Sequence, residues 1–122
     1  MSPKLKAFVI NALRRAHNRW FPKSIALEQA KSSKPYTIKK DKDRSRNAYE
    51  CAHCKGIFRA KEINVDHITP VVDPKSGFTT FDDYIESLFV KVEGYQILCI
   101  PCHKIKTKSE TDIRTKARRN NG

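Results

Sequence analysis

Two short stretches carry residues whose chemistry stands apart from the rest of the chain. In Val65-Asp66-His67-Ile68-Thr69-Pro70, a carboxylate and an imidazole lie side by side after an apolar, β-prone residue. In Cys99-Ile100-Pro101-Cys102-His103, a Cys-x-x-Cys pair runs directly into a second imidazole. One Asp oxygen and one His nitrogen suit a divalent ion that keeps most of its positions for water and phosphate, as Mg²⁺ and Mn²⁺ do. Neighbours on a regular strand point to opposite faces. Pro70 and the turn residues after it are therefore expected to bend the chain and bring Asp66 and His67 to one cleft. His103 is fixed in space by whatever fixes Cys102, and a metal ligand needs such anchoring.

Cys51-Ala52-His53-Cys54 is a second Cys-x-x-Cys pair, and the 44 residues between Cys54 and Cys99 can hold a hairpin and a helix. Four thiolates in a tetrahedron suit Zn²⁺ and leave no open position for reaction. Cys51, Cys54, Cys99 and Cys102 are assigned to a structural zinc site, with His53 a bystander. Two disulfides are the competing arrangement. The early apolar run Ala7-Phe8-Val9-Ile10 is too short for a secretory signal core. No run reaches the roughly 18 apolar residues of a membrane span. A reducing cytoplasm is therefore expected, where paired cysteines bind metal more often than they cross-link.

The totals agree with that picture. The chain has 122 residues, 39% of them hydrophobic and 31% charged, so one small domain with a thin core and a metal staple is expected. Its 25 Lys and Arg against 13 Asp and Glu give a net charge of +12. Zinc held by four thiolates would leave it strongly basic. Such a charge points to a polyanionic partner, nucleic acid first and an anionic membrane surface second.

The supporting elements follow from pattern. Ser2-Pro3 predicts a helix start, and Leu5, Phe8, Val9, Ala12, Leu13, Ala16 and Trp20 mark its apolar face. Lys4, Lys6, Arg14, Arg15, Asn18 and Arg19 lie mostly elsewhere, as a solvated basic face able to meet phosphates. Pro22 is expected to end this helix, with a second over residues 25–31, a connector over 32–35 and a mobile basic loop over 39–47. Residues 49–57 read as a zinc knuckle in which Gly56 takes the positive-φ turn, and Ile63 and Val65 as the strand leading to Asp66. Thr80-Phe81-Asp82-Asp83 predicts a helix start, with Phe81, Tyr84, Ile85, Leu88 and Phe89 facing the core. A strand is expected over 90–98, a last helix opening at His103, and a frayed basic tail over 114–122.

Val65-Asp66-His67-Ile68-x-Pro70 followed by Gln96-x-Leu98-Cys99-x-x-Cys102-His103-x-x-Lys106-Thr107 resembles the HNH endonuclease family. Pro70-Val71-Val72-Asp73-Pro74 and the helix after it resemble bacteriophage versions. The match covers about residues 49 to 108. It implies an α+β fold with a zinc-stabilised ββα-metal core over 49–110; the basic helical segment and loop over 1–48 and the basic tail over 111–122 are read from pattern and lie outside it. It further implies that His67 is the general base and that Asp66 and His103 hold a catalytic Mg²⁺ or Mn²⁺ beside the structural Zn²⁺. Water activated by His67 would attack a DNA phosphorus, leaving 5′-phosphate and 3′-hydroxyl ends. Lys104, Lys106, Lys108, Arg14 and Arg15 are the expected DNA contacts, with Lys106 and its neighbours on the phosphodiester. The expected partner is DNA, double-stranded in the first instance, with a protein partner or homodimer left open. The expected location is the cytoplasm, that of the host cell if the protein is phage-encoded. The family's middle Asn, described as bracing the loop that orients the base, falls here on Gly94. Tyr95 and Asn64 are the neighbours able to take over that brace.

Two other readings fit part of the sequence. A zinc-stabilised DNA-binding module without catalysis explains the charge and the cysteines but gives Asp66, His67 and His103 no role. A protein that docks an acidic partner on its basic helix explains the charge alone.

Overall fold

A computed structural model describes residues 1–32, 36–37 and 45–121, and its described part is α+β, with four α-helices and short antiparallel ladders. Helix α1, Pro3–His17, begins as expected: Pro3 is in its first turn and the Ser2 hydroxyl accepts from the Leu5 N–H at 3.1 Å. Its packed face differs from the apolar stripe. Phe8 is 66% and Leu5 50% exposed, while the Lys6 ammonium lies 3.9 Å from the centre of the Phe78 ring and His17 is buried. Val9, Ala12, Leu13 and Trp20 of the stripe are half-buried, so the packed face keeps much of it and adds these two polar side chains, which a count of apolar spacing passes over. Pro22 opens the second helix instead of merely closing the first: α2 spans Phe21–Gln29, earlier than expected, because proline fits a first turn where its missing N–H costs nothing.

Of the expected connector and basic loop, residues 33–35 and 39–44 lie outside the described residues. Tyr36–Thr37 (β1) and Ser45–Arg46 (β2) pair as a short antiparallel ladder. Strands β3, Ala48–Glu50, and β4, Ile57–Arg59, form a hairpin around the first cysteine pair. Here the left-handed turn falls on Lys55, with φ 64°, and not on Gly56. Gly56 is needed for a different reason: a Cβ there would stand 2.8 Å from the Phe58 ring. The backbone leaving α2 joins this hairpin, with Glu50 N–H on Ala30 O at 3.0 Å and Ser32 N–H on Ala48 O at 2.7 Å. The amino-terminal helices are thus hydrogen-bonded into the body of the protein.

Strands β5, Ile63–His67, and β6, Tyr95–Cys99, pair antiparallel with His67 opposite Tyr95 and Asp66 opposite Gln96. The expected strand over 90–98 is shorter, because residues Val92–Gly94 form a 3₁₀ turn before Tyr95. Between them α3, Phe81–Leu88, is capped by the Thr80 hydroxyl, which accepts from the Asp83 N–H at 3.1 Å. Tyr84 and Leu88 are buried as its spacing implies, whereas Ile85 is 39% exposed. Tyr49, Ile63 and Ile97 form one core cluster, closed by Leu27 and Ala30 from the α2 side, and Cys51, Leu98 and Cys99 form another. Burial of a side chain such as Ile97 contributes about 2 kcal/mol. Helix α4 begins at Ile100, ahead of His103, and runs unbroken to Asn121, so the expected tail is helical.

Candidate active site and metal cluster

The four cysteines converge. Cys51 follows β3 directly, the hairpin turn carries Cys54, β6 ends at Cys99, and the first turn of α4 carries Cys102. One ligand atom from each lies within 4.8 Å of all the others, and Cys54 Sγ is 3.8 Å from Cys99 Sγ. A tetrahedron of Zn–S bonds of about 2.3 Å has edges of about 3.8 Å, so the donor set fits zinc. Burial pushes the Cys51 thiol up, but N–H groups of Cys99, Cys54 and His53 outweigh it and draw the thiol down to about 6. The Cys102 thiol, beside the Cys99 sulfur and partly desolvated, is pushed up to about 12. Four sulfurs this close cannot all be anionic without a cation among them. These residues could hold a structural metal such as zinc. His53 is exposed and outside the group.

β5 stays regular through His67, so the expected bend comes only after it, and Asp66 and His67 do face different elements. Asp66 faces α4. Its Oδ2 accepts from Lys106 Nζ at 2.7 Å and Gln96 Nε2 at 3.0 Å, and its Oδ1 stands 3.6 Å from His103 Nε2. His67 faces α1 and the end of α3. Its Nε2 is 2.8 Å from Leu88 O, and its ring lies 5.0 Å from those of both His17 and Tyr95. A carbonyl only accepts, so Nε2 carries the hydrogen and Nδ1 is the basic nitrogen. Leu88 is the last residue of α3, where the carbonyl has no partner within the helix.

Asp66 and His67 nevertheless line one cleft of about 760 Å³, with α1 and α4 as its walls. Arg14, Arg15, Lys23, Lys106 and Arg114 line it too, so Arg14, Arg15 and Lys106 are brought to the site. Lys104 and Lys108 are exposed on α4 outside it. Lys106 is not a free cation: besides Asp66, its Nζ donates to His67 O at 2.6 Å and stands 3.3 Å from Glu110 Oε1, a buried oxygen without a hydrogen bond. Burial lowers the Lys23 amine. Two ligands at neighbouring octahedral positions, each about 2.1 Å from a cation, are about 3.0 Å apart. The 3.6 Å between Asp66 Oδ1 and His103 Nε2 is about 0.6 Å longer than that, so the two could share a divalent ion only by drawing closer.

Gly94 and Asn64 bear on the expected brace. A Cβ at Gly94 would stand 2.6 Å from Val90 Cγ2, so no larger side chain fits there without movement, and the Gly94 carbonyl itself holds the Ile68 N–H at 2.9 Å. Asn64 is exposed. Sequence reasoning passed over His17, Lys23, Gln96, Glu110 and Arg114. Only the basic character of the last helix hinted at Arg114, and nothing local marked His17. Compared with family models, curated proteins and solved structures, the chain shows no match. Among the described residues, no helix is long and apolar enough to cross a membrane.

Proposed function

We propose that this chain is a divalent-metal-dependent endonuclease of the HNH, ββα-metal type, acting on DNA. The observation that carries the reading is Asp66, which stands 3.6 Å from His103 Nε2 and with its neighbour His67 lines a cleft walled by Arg14, Arg15 and Arg114. The arginines bind and orient a phosphodiester. His67, its Nε2–H held by Leu88 O, takes a proton from water at Nδ1. The water oxygen then bonds to phosphorus as the P–O3′ bond breaks, leaving a 5′-phosphate and a 3′-hydroxyl once solvent protonates the departing oxygen. A divalent ion on Asp66 and His103 would supply neutralisation of charge on the phosphoryl and leaving oxygens. The cysteine cluster, holding Zn²⁺, fixes the first turn of α4 and with it His103.

The test is supercoiled plasmid incubated with the purified chain and Mg²⁺, Mn²⁺ or EDTA, alongside His67→Ala. Nicking or linearisation is expected with a divalent ion only. It should fall about 10²- to 10⁴-fold in the variant while DNA binding persists.

One observation favours a second reading. The Lys106 ammonium already compensates Asp66 at 2.7 Å, as suits a zinc-stabilised DNA-binding module without catalysis. Tight, salt-sensitive binding with no cleavage in any divalent ion would select it.

A further inference from the structure

His17 is the one buried polar side chain among the described residues, and the reaction above gives it nothing to do. We propose that His17 and Tyr95 are positioning residues for His67, so that α1 completes the active centre from outside the segment that carries the cysteines and the Asp-His pair. The proposal rests on the nuclease reading for its catalytic consequence.

An imidazole offers two nitrogens, and a half-turn of the ring would put a carbon where each now stands, taking Nε2–H off Leu88 O and leaving the tautomer unfixed. Only the orientation with Nε2–H on Leu88 O keeps Nδ1 as the proton acceptor, so whatever prevents that turn sets the chemistry. Two rings do so here. His17 stacks on His67 at 5.0 Å with planes 30° apart, and Tyr95 stands opposite His67 in the ladder at 5.0 Å. These two are themselves locked together, His17 Nε2 lying 2.6 Å from the Tyr95 hydroxyl across 78 residues of sequence. The same hydroxyl reaches Leu88 O at 3.4 Å, so the carbonyl that holds His67 is held in turn. Phe89 closes the far side of His17 edge-on at 5.6 Å, and Trp20 anchors the end of α1 by donating to Val90 O at 2.8 Å.

The electrostatics agree. Burial first, then the charges of Lys23 and His67, lower the His17 imidazole to about 4, so it stays neutral near neutral pH. A neutral ring can stack on His67 without opposing the charge that His67 gains with its proton. Burial pushes Tyr95 up to about 12, which keeps its hydroxyl protonated and able to donate. Because a side chain at Gly94 would meet Val90, the brace comes from α1 and the first residue of β6.

The experiment uses the full zinc-loaded chain labelled with ¹⁵N-histidine at about pH 8, where a free imidazole is neutral. The His67 signals are assigned through His67→Ala. The wild type is expected to show His67 as a single tautomer with hydrogen on Nε2. In Tyr95→Phe and His17→Phe, its two ring-nitrogen shifts should move toward each other, as the tautomers mix. In the plasmid assay, kcat should fall about 10- to 100-fold in both variants with KM unchanged. His17→Gln, whose amide nitrogen can reach the Tyr95 hydroxyl, should recover most of it. Tyr95→Phe removes a single oxygen and keeps the ring, so it decides the matter if His17→Phe does not fold. Unchanged His67 nitrogen shifts, or an unchanged kcat in a chain that nicks, overturns the proposal. If the wild type does not nick at all, the nuclease reading fails, while the nitrogen shifts still decide whether His17 and Tyr95 hold the ring.

Discussion

The cysteine cluster and the cleft sit at opposite ends of the β5–β6 ladder and are built in opposite ways. The cluster draws on two short sequence pairs and has its sulfurs within 4.8 Å of one another, with Cys51 and Cys99 almost wholly buried and Cys54 at the surface. The cleft draws its lining from α1, α2, β5, the turn after β5, α3 and α4, and is open to solvent along largely cationic walls. A site that only has to hold can be encoded locally. A cleft that, on the proposed function, admits a phosphodiester and acts on it needs walls from distant parts of the chain.

The comparison breaks first at the metal. Chelation, or Cys51→Ser, should abolish the cooperative thermal transition followed by circular dichroism, since structural zinc sites contribute on the order of 10 kcal/mol or more, as much as a small domain's whole stability. An unchanged melt in excess chelator would mean that the four sulfurs support the fold without metal. Gly94→Ala tests the cleft's backbone: its Cβ, 2.6 Å from Val90 Cγ2, should cost about 1–3 kcal/mol in denaturant unfolding. Val90→Ala in the same chain should recover part of that.

Acid sharpens the contrast further. His17 is lowered from 6.5 to about 4 in the folded chain, so between those values the unfolded chain binds the extra proton. Stability from this group is complete above about 6.5 and is lost as pH falls toward 4. Denaturation midpoints should therefore drop on acidification from pH 7 to about pH 5, and drop less in His17→Gln. The smallest effects lie on the walls. Arg14→Ala and Arg114→Ala should each weaken DNA binding at every sequence and lower the salt slope by about 1. Lys104→Ala and Lys108→Ala, outside the cleft, should change it less.

What could be read in the sequence follows the same division. The cysteine group, the Ser2 and Thr80 caps, and the strands leading to Asp66 and Cys99 all rest on spacing within a few residues. The part that Lys6 and His17 take in the packed side of α1 was hidden because both are polar. The left-handed residue was misplaced onto Gly56, since glycine marks close approach as readily as it marks a positive φ. His17 was invisible because its meaning comes from Tyr95 and His67, far along the chain. Lys106 was legible as a cation near the site, but its engagement with Asp66, the His67 carbonyl and Glu110 was not.

The 78-residue separation of His17 and Tyr95 also orders the assembly of the molecule in time. Closing so long a loop is slow compared with forming helices and hairpins. During synthesis α1 emerges before its partners, and Phe78, Phe89 and Tyr95 reach it only several seconds later at about 5–20 residues per second. The cysteine hairpin can form meanwhile, but its metal set is incomplete until Cys102 follows. The cleft, lined by Lys106, Glu110 and Arg114 of α4, therefore cannot be complete before these residues appear, and until then the basic helix α1 stands without a finished centre beside it.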